Sequence, residues 1–188
     1  MALKYFGTDG IRGEYGGPSL NDGIAFRAGT AMARLLKQQH EIEDPLMVVG
    51  RDTRASGLKL IAALGAGFRS EGGAIESIGV APTPGIAKVV ELGNAVAGCA
   101  VTGSHNPSKD NGIKFFQSNG TKPSESFELV LDRSVGEVAT PKETDFPAIE
   151  DSFTRKTDWY VSRVRGAFDP GLLSGKRIAL DCANGALS

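Results

Sequence analysis

Between residues 24 and 102 the chain alternates two hydrophobic periods, and that alternation constrains its fold more than any other feature. Ile24, Ala28, Ala31, Met32, Leu35 and Leu36 recur at helical spacing. Asn21 or Ser19 can cap this stretch, and Lys37 suits the negative end of its dipole. Leu46-Met47-Val48-Val49-Gly50 follows as a short, continuous apolar run with β-branched residues, the pattern of a buried strand. A helix from Ser56 towards Arg69 places Leu60, Ala63, Leu64 and Phe68 on one face and stops at Gly72-Gly73. Ala74 to Val80 reads as a second strand, and Pro82-Thr83-Pro84 breaks the chain before a helix over Gly85 to Leu92. Ala95 to Thr102 is a third strand, and Gly112 to Phe116 a fourth, entered through a turn at Asn111-Gly112. Pro123 can open a helix carrying Phe127, Val130 and Leu131. Helix and strand in strict turn imply an α/β fold: a three-layer α/β/α domain with a mixed, largely parallel sheet.

After Val138 the sequence turns polar and carries Pro141 and Pro147, the composition of a linker. Residues 1–138 are therefore expected to form one domain and 139–150 a connection. Residues 151–188, read as a helix from Asp151 to Phe168 and a strand from Arg177 to Asp181, would begin a second, similar domain. One helix and one strand cannot close a core. This piece is thus expected to leave an unpaired edge open to self-association.

Charge and cysteine content exclude several function classes. Lys and Arg number 21 against 22 Asp and Glu, with no basic block, so the footprint of a nucleic-acid binder is missing. No apolar run reaches transmembrane length, and Met1 to Tyr5 carries no signal-peptide core, so no membrane partner is expected. Cys99 and Cys182 lie far apart without a CxxC spacing and read as small apolar residues of a reduced, cytoplasmic protein.

The strongest chemical signal is Thr102-Gly103-Ser104-His105-Asn106-Pro107, directly after the third strand. Ligands of open α/β sheets gather beyond the carboxyl ends of strands, so Ser104 stands where a reactive hydroxyl would be displayed. The hydrolase pattern G-x-S-x-G fails, because Asn106 occupies the position of the last glycine. Ser104 and Asn106 could simply build a turn. Lys109 and Lys114, however, bring positive charge within ten residues, and a phosphorylated serine carries about −1.5 to −2 charges for them to neutralise. A second signal is Phe6-Gly7-Thr8-Asp9-Gly10-Ile11-Arg12-Gly13, in which three glycines permit close backbone approach and Arg12 offers a rigid fork for phosphate oxygens. It is neither a Walker loop nor a dinucleotide fingerprint, and a generic glycine-rich turn is the plain alternative. The third, Gly50-Arg51-Asp52-Thr53-Arg54, suits either an ion-pair network or ligand contact.

Taken together, these segments resemble the α-D-phosphohexomutase superfamily. Pro82-Thr83-Pro84, Asp110-Asn111-Gly112-Ile113-Lys114-Phe115-Phe116 and Asp181-Cys182-Ala183-Asn184-Gly185 extend the likeness along the whole chain. The wording of Phe6 to Gly13 and Asp110 to Phe116 is most similar to the branch acting on glucosamine phosphate; mannose or glucose phosphate, and a non-catalytic phosphate-binding module of the same fold, are the alternatives. The resemblance implies a hexose phosphate substrate and Ser104 as the phosphoserine. It makes His105, Lys114 and Arg12 the electrostatic and acid–base neighbours, with Thr8, Arg12 and Lys114 in the phosphate-binding surround. It also implies magnesium, bound through the Ser104 phosphate and an Asp-x-Asp-x-Asp loop whose spacing does not occur in these residues. The family more often has Ala where Gly103 stands. The chain is accordingly expected to be the amino-terminal piece of a longer enzyme and inactive by itself.

Overall fold

The computed structural model describes residues 3–142, 145–152 and 155–188. Eleven elements are assigned in these residues. They are β1 Phe6–Gly7, β2 Gly10–Glu14, α1 Asp22–His40, β3 Leu46–Arg51, α2 Ser56–Ser70, β4 Ala74–Val80, α3 Thr83–Leu92, β5 Ala97–Val101, β6 Asp110–Gln117, α4 Glu125–Glu137 and α5 Arg155–Gly166. Local chemistry accounts for several of the boundaries. Asn21 caps α1, its side-chain oxygen accepting from the Ile24 amide at 3.0 Å. Ser124 caps α4 in the same way, accepting from Phe127. Pro84 sits in the first turn of α3, where a missing N–H leaves no helical bond unmade.

The strands form one sheet in the order β1-β2-β6-β5-β3-β4. Only β3 pairs in parallel, with β4 on one side and β5 on the other. The pairs β1–β2, β2–β6 and β5–β6 are antiparallel, so the sheet is mostly antiparallel and the expectation of a largely parallel one is corrected. The reason lies in the connections. A parallel return needs a crossover of a dozen or more residues, usually a helix. Only residues 102–109 separate β5 from β6, with no helix among them, so β6 can only run back beside β5. Asn111 and Gly112 lie inside β6 and make no turn. The glycine-rich start, for which a generic turn was the plain alternative, forms the short β1–β2 hairpin.

Helices α1, α2 and α4 cover one face of the sheet. Their Ala28, Met32, Leu36, Leu64, Phe68 and Leu131 bury against Met47, Val49, Cys99, Ile113 and Phe115. On the opposite face α3 packs Ile86, Val89 and Val90 on Val48, Ile78, Ala100 and Phe116. Because successive strand residues alternate faces, Arg12, Gly112 and Lys114 share this second face, beyond the part occupied by the α3 cluster.

Residues 145–150 carry no helix or strand, yet Ile149 is buried in the larger core and Phe146 stacks on Phe26 at 5.5 Å. Asp151 makes a parallel bridge with Ser77 of β4. Helix α5 begins after the start expected at Asp151, and residues 177–181 form no strand: Ile178 and Leu180 are exposed.

Candidate active site

The parallel pair β3–β5 aligns Arg51 with Val101, so the segments that follow both strands leave the sheet side by side. The Asp52 amide donates to the Val101 carbonyl at 3.1 Å and brings its carboxylate under the serine loop. One oxygen of that carboxylate accepts from Thr102 Oγ1 at 2.8 Å, from the Gly103 amide at 3.2 Å and from Arg54 Nε at 2.9 Å. Thr102 Oγ1 in turn accepts from the Ser104 amide at 3.0 Å.

Ser104 itself is exposed and has φ 54°, the left-handed region that residues with a Cβ rarely adopt. A strained backbone of this kind persists only where neighbours over-determine it, and such residues cluster at functional sites. Its Oγ lies 3.1 Å from His105 Nδ1. The two adjacent side chains thus meet where the backbone turns left-handed.

Arg12, Lys114 and Thr8 belong to a neighbouring group. Asp9, in the β1–β2 turn, accepts from Arg12 Nη2 at 3.0 Å and from Lys114 Nζ at 2.9 Å. The Lys114 ammonium first, then the charges of Arg12 and Lys122, hold the Asp9 carboxyl below the usual carboxylate range. Lys122 Nζ donates to the Thr8 carbonyl at 2.7 Å. Two cations thus bond one carboxylate, and Lys122, paired with Glu128 at 3.1 Å, adds its charge nearby. A cavity of about 600 Å³ opens beside them, lined by Lys4, Thr8, Asp9, Arg12 and Ser19 among others. A second, of about 300 Å³, is lined by Asp52, Thr83, Thr102, Ser104, Cys182 and Gly185 among others.

Glycine 112 is where the two groups approach. A Cβ there would lie 2.9 Å from both Arg12 Cγ and the Thr102 carbonyl oxygen. Ser104 and His105 are therefore in contact, and Arg12 and Lys114 are joined through Asp9, while no hydrogen bond links the two sets among the described residues. Asp52, Arg54, Asp9 and Lys122 are absent from the site read in the sequence. Asp9 lay within the Phe6–Gly13 signal and Asp52 and Arg54 within Gly50–Arg54, where the ion-pair alternative holds. No group of three or more His, Cys, Asp or Glu side chains able to hold a metal occurs among the described residues. No described helix is long and apolar enough to cross a membrane.

Comparison with known proteins places this arrangement. Residues 3–140 match the family model for phosphoglucomutase/phosphomannomutase, alpha/beta/alpha domain I. A phosphoglucosamine mutase of Bordetella avium (strain 197N) is 40% identical over 190 residues, covering 97% of this chain and 42% of the relative. One from Bacillus cereus (strain B4264) is 39% identical over 189 residues, covering 98% and 41%. The chain thus spans about two fifths of the length of the curated relatives it matches. Among solved structures, a phosphoglucomutase/phosphomannomutase family protein of Burkholderia thailandensis superposes with a TM-score of 0.66 at 27% identity, covering 86% of this chain and 35% of that one. The exocytosis-sensitive phosphoprotein parafusin of Paramecium, in its open form, shares the fold with a TM-score of 0.68 at 19% identity, over 92% and 37% of the two chains. A serine loop at the carboxyl end of a central strand, near the cluster of Asp9, Arg12 and Lys114, thus sits in a chain that belongs to the phosphoglucomutase/phosphomannomutase family and carries its alpha/beta/alpha domain I.

Proposed function

We propose that this chain is the phosphoserine-bearing part of a mutase that interconverts glucosamine 6-phosphate and glucosamine 1-phosphate, with Ser104 as the residue that gives and takes the phosphoryl group. The observation that carries the reading is Ser104 itself: an exposed hydroxyl, held in a left-handed backbone at the end of β5, with His105 Nδ1 3.1 Å away. The names of the relatives support glucosamine phosphate over mannose or glucose phosphate.

In the forward half, a sugar hydroxyl attacks phosphorus, its bond to Ser104 Oγ breaks, and a bisphosphate forms. The sugar proton leaves as the serine oxygen takes one up, and His105 is the near carrier. The bisphosphate turns around and returns its other phosphoryl group to Ser104. Such transfer is mainly positioning and charge stabilisation, which suits Arg12 and Lys114 on the adjacent strands. Magnesium, when bound, neutralises phosphate charge. Here Ser104 could offer one ligand through its phosphate. Asp52 is already engaged by Arg54, Thr102 and Gly103, and Asp110 accepts from Asn106 Nδ2 at 3.0 Å, so these carboxylates do not complete a metal site.

The division at 138 and 150, with 151–188 opening a second domain, is part of the same reading. It is supported by the family match over 3–140 and by the exposed Leu172, Leu173, Ile178 and Leu180. Those side chains would mediate self-association at high concentration. In the full-length enzyme, Ser104→Ala should lower turnover by several orders of magnitude and abolish phosphate uptake from glucosamine 1,6-bisphosphate, read by intact mass. Turnover close to the parent's would overturn the reading.

A further inference from the structure

We propose that Arg54 is the positioning residue of the serine loop: anchored on Asp52, its guanidinium holds the backbone of residues 104–110 and so fixes the conformation in which Ser104 presents its hydroxyl. The inference rests on the reading of Ser104 as phosphate acceptor.

A guanidinium has five N–H donors in a rigid plane, and here all five are used. Nε donates to Asp52 Oδ2 at 2.9 Å. Nη1 donates to the carbonyls of Pro107 at 2.6 Å and Asp110 at 3.0 Å. Nη2 donates to the carbonyls of Ser104 at 3.0 Å and Asn106 at 2.9 Å. Within the loop, the backbone supplies little of its own: Asn106 N to the Gly103 carbonyl, and Asp110 N to that of Pro107. The carbonyls of the loop converge on one side chain that is only 12% exposed.

The same ion pair holds Ser104 from both ends. Arg54 binds its carbonyl, while Asp52 binds Thr102 Oγ1, which receives its amide. That bracket is what a left-handed, non-glycine residue requires to persist. Gly103 makes the approach possible, since a Cβ there would lie 2.6 Å from Arg54 Cζ and 2.7 Å from Nε. The guanidinium occupies the space an alanine methyl would fill. Lysine cannot replace it, because three donors on a point charge cannot reach four carbonyls and a carboxylate.

The test has two arms. In the 188-residue chain, the HN–Hα coupling and the Cα and Cβ shifts of Ser104 report its left-handed backbone by NMR. Arg54→Gln and Arg54→Lys should each lose that signature while the amides of β3 and β5 keep their shifts. A purely stabilising role would leave Ser104 unchanged in every variant that folds, and that result in Arg54→Lys alone suffices to overturn the proposal. In the full-length enzyme, phosphoryl transfer from glucosamine 1,6-bisphosphate to Ser104 forms the Oγ–P bond and breaks the P–O bond to the sugar, whose oxygen takes the serine proton. Arg54→Gln and Arg54→Lys should slow this step about a hundredfold with KM little changed, the cost of misplacing a reacting atom by about an ångström. Transfer at the parent rate overturns the proposal. Phosphate uptake by Ser104→Ala would instead defeat the acceptor reading and leave the NMR arm to judge Arg54.

Discussion

Tyr15 ties the end of β2 to the first turn of α1. Its hydroxyl donates to both oxygens of Asp22, at 2.9 and 3.1 Å, and its amide donates to the Lys109 carbonyl at 3.0 Å, just before β6. Burial, and then the Asp22 carboxylate, push the phenol up to about 12. A folded value above the unfolded one means the neutral phenol is favoured by folding. The contribution is therefore complete below about pH 10 and is lost as pH rises from there through 12. Tyr15→Phe should be less stable than the parent at pH 8, and the gap in denaturation midpoint should close by pH 11 to 12. A constant gap across that range would show that the hydrogen bond to Asp22 is not what Tyr15 contributes. At the amino end, Asp132 plays a comparable part: its nearly buried carboxylate receives the amides of Lys4, Tyr5 and Phe6 at 2.7 to 3.1 Å, fixing β1 on α4.

Among the elements, the tightest joint is between α1 and α2. A Cβ on Gly29 would land on the Leu64 carbonyl oxygen, and one on Gly67 on that of Phe26. Thr30 Oγ1, buried at the crossing, donates to the Phe26 and Gly67 carbonyls at 3.1 and 3.2 Å. The helices meet backbone to backbone. Gly67→Ala, favourable for an isolated helix, should here destabilise the fold by about 3 kcal/mol or more, because neither carbonyl can move without parting the helices. Urea unfolding measures it, and a neutral or stabilising result would show that the pair can slide apart at little cost. The sheet beneath has its own asymmetry. Parallel pairing around β3 aligns the carboxyl ends of β3 and β5, and the antiparallel return of β6 then sets Lys114 opposite Ala100 and, across β2, Gly112 opposite Arg12.

At the scale of the molecule, the stretch after Val138 is attached to the first domain rather than held away from it. Ile149 Cδ1 reaches Gly65 of α2, Arg51 Nη2 pairs with Asp151 at 3.3 Å, and the Ser152 amide donates to the Ser77 carbonyl at 2.7 Å. Arg51 immediately precedes the Asp52 that supports the serine loop, so this attachment and the site share one strand end. Ile149→Ala should cost about 2 kcal/mol, the low end for a buried aliphatic. Hydrogen exchange should accelerate first at Ser152, while Val48, Val49 and Cys99 keep their protection. If the Ser152 amide is equally protected in both proteins, Ile149 is not what holds this segment.

Most helices and the strands β3, β4, β5 and β6 were legible from sequence, because period, capping and β-branched runs are local properties. Asn21, the Leu46–Gly50 run and the break at Pro82 to Pro84 each act within a few residues of the boundary they set. The place of Ser104 just beyond β5 was legible too, since the end of a buried strand is recognisable and Thr102 to Pro107 follows it directly. Strand direction was not. Whether β6 runs with or against β5 depends on how far eight intervening residues can reach, and the alternation of patterns carries no such information. Nor could sequence alone choose between an ion pair and a ligand contact for Asp52 and Arg54, or set Asp9 between Arg12 and Lys114, which lie 102 residues apart in sequence. These are meetings of side chains from distant elements. Only the packed sheet, by setting β2, β6, β5 and β3 side by side, decides them.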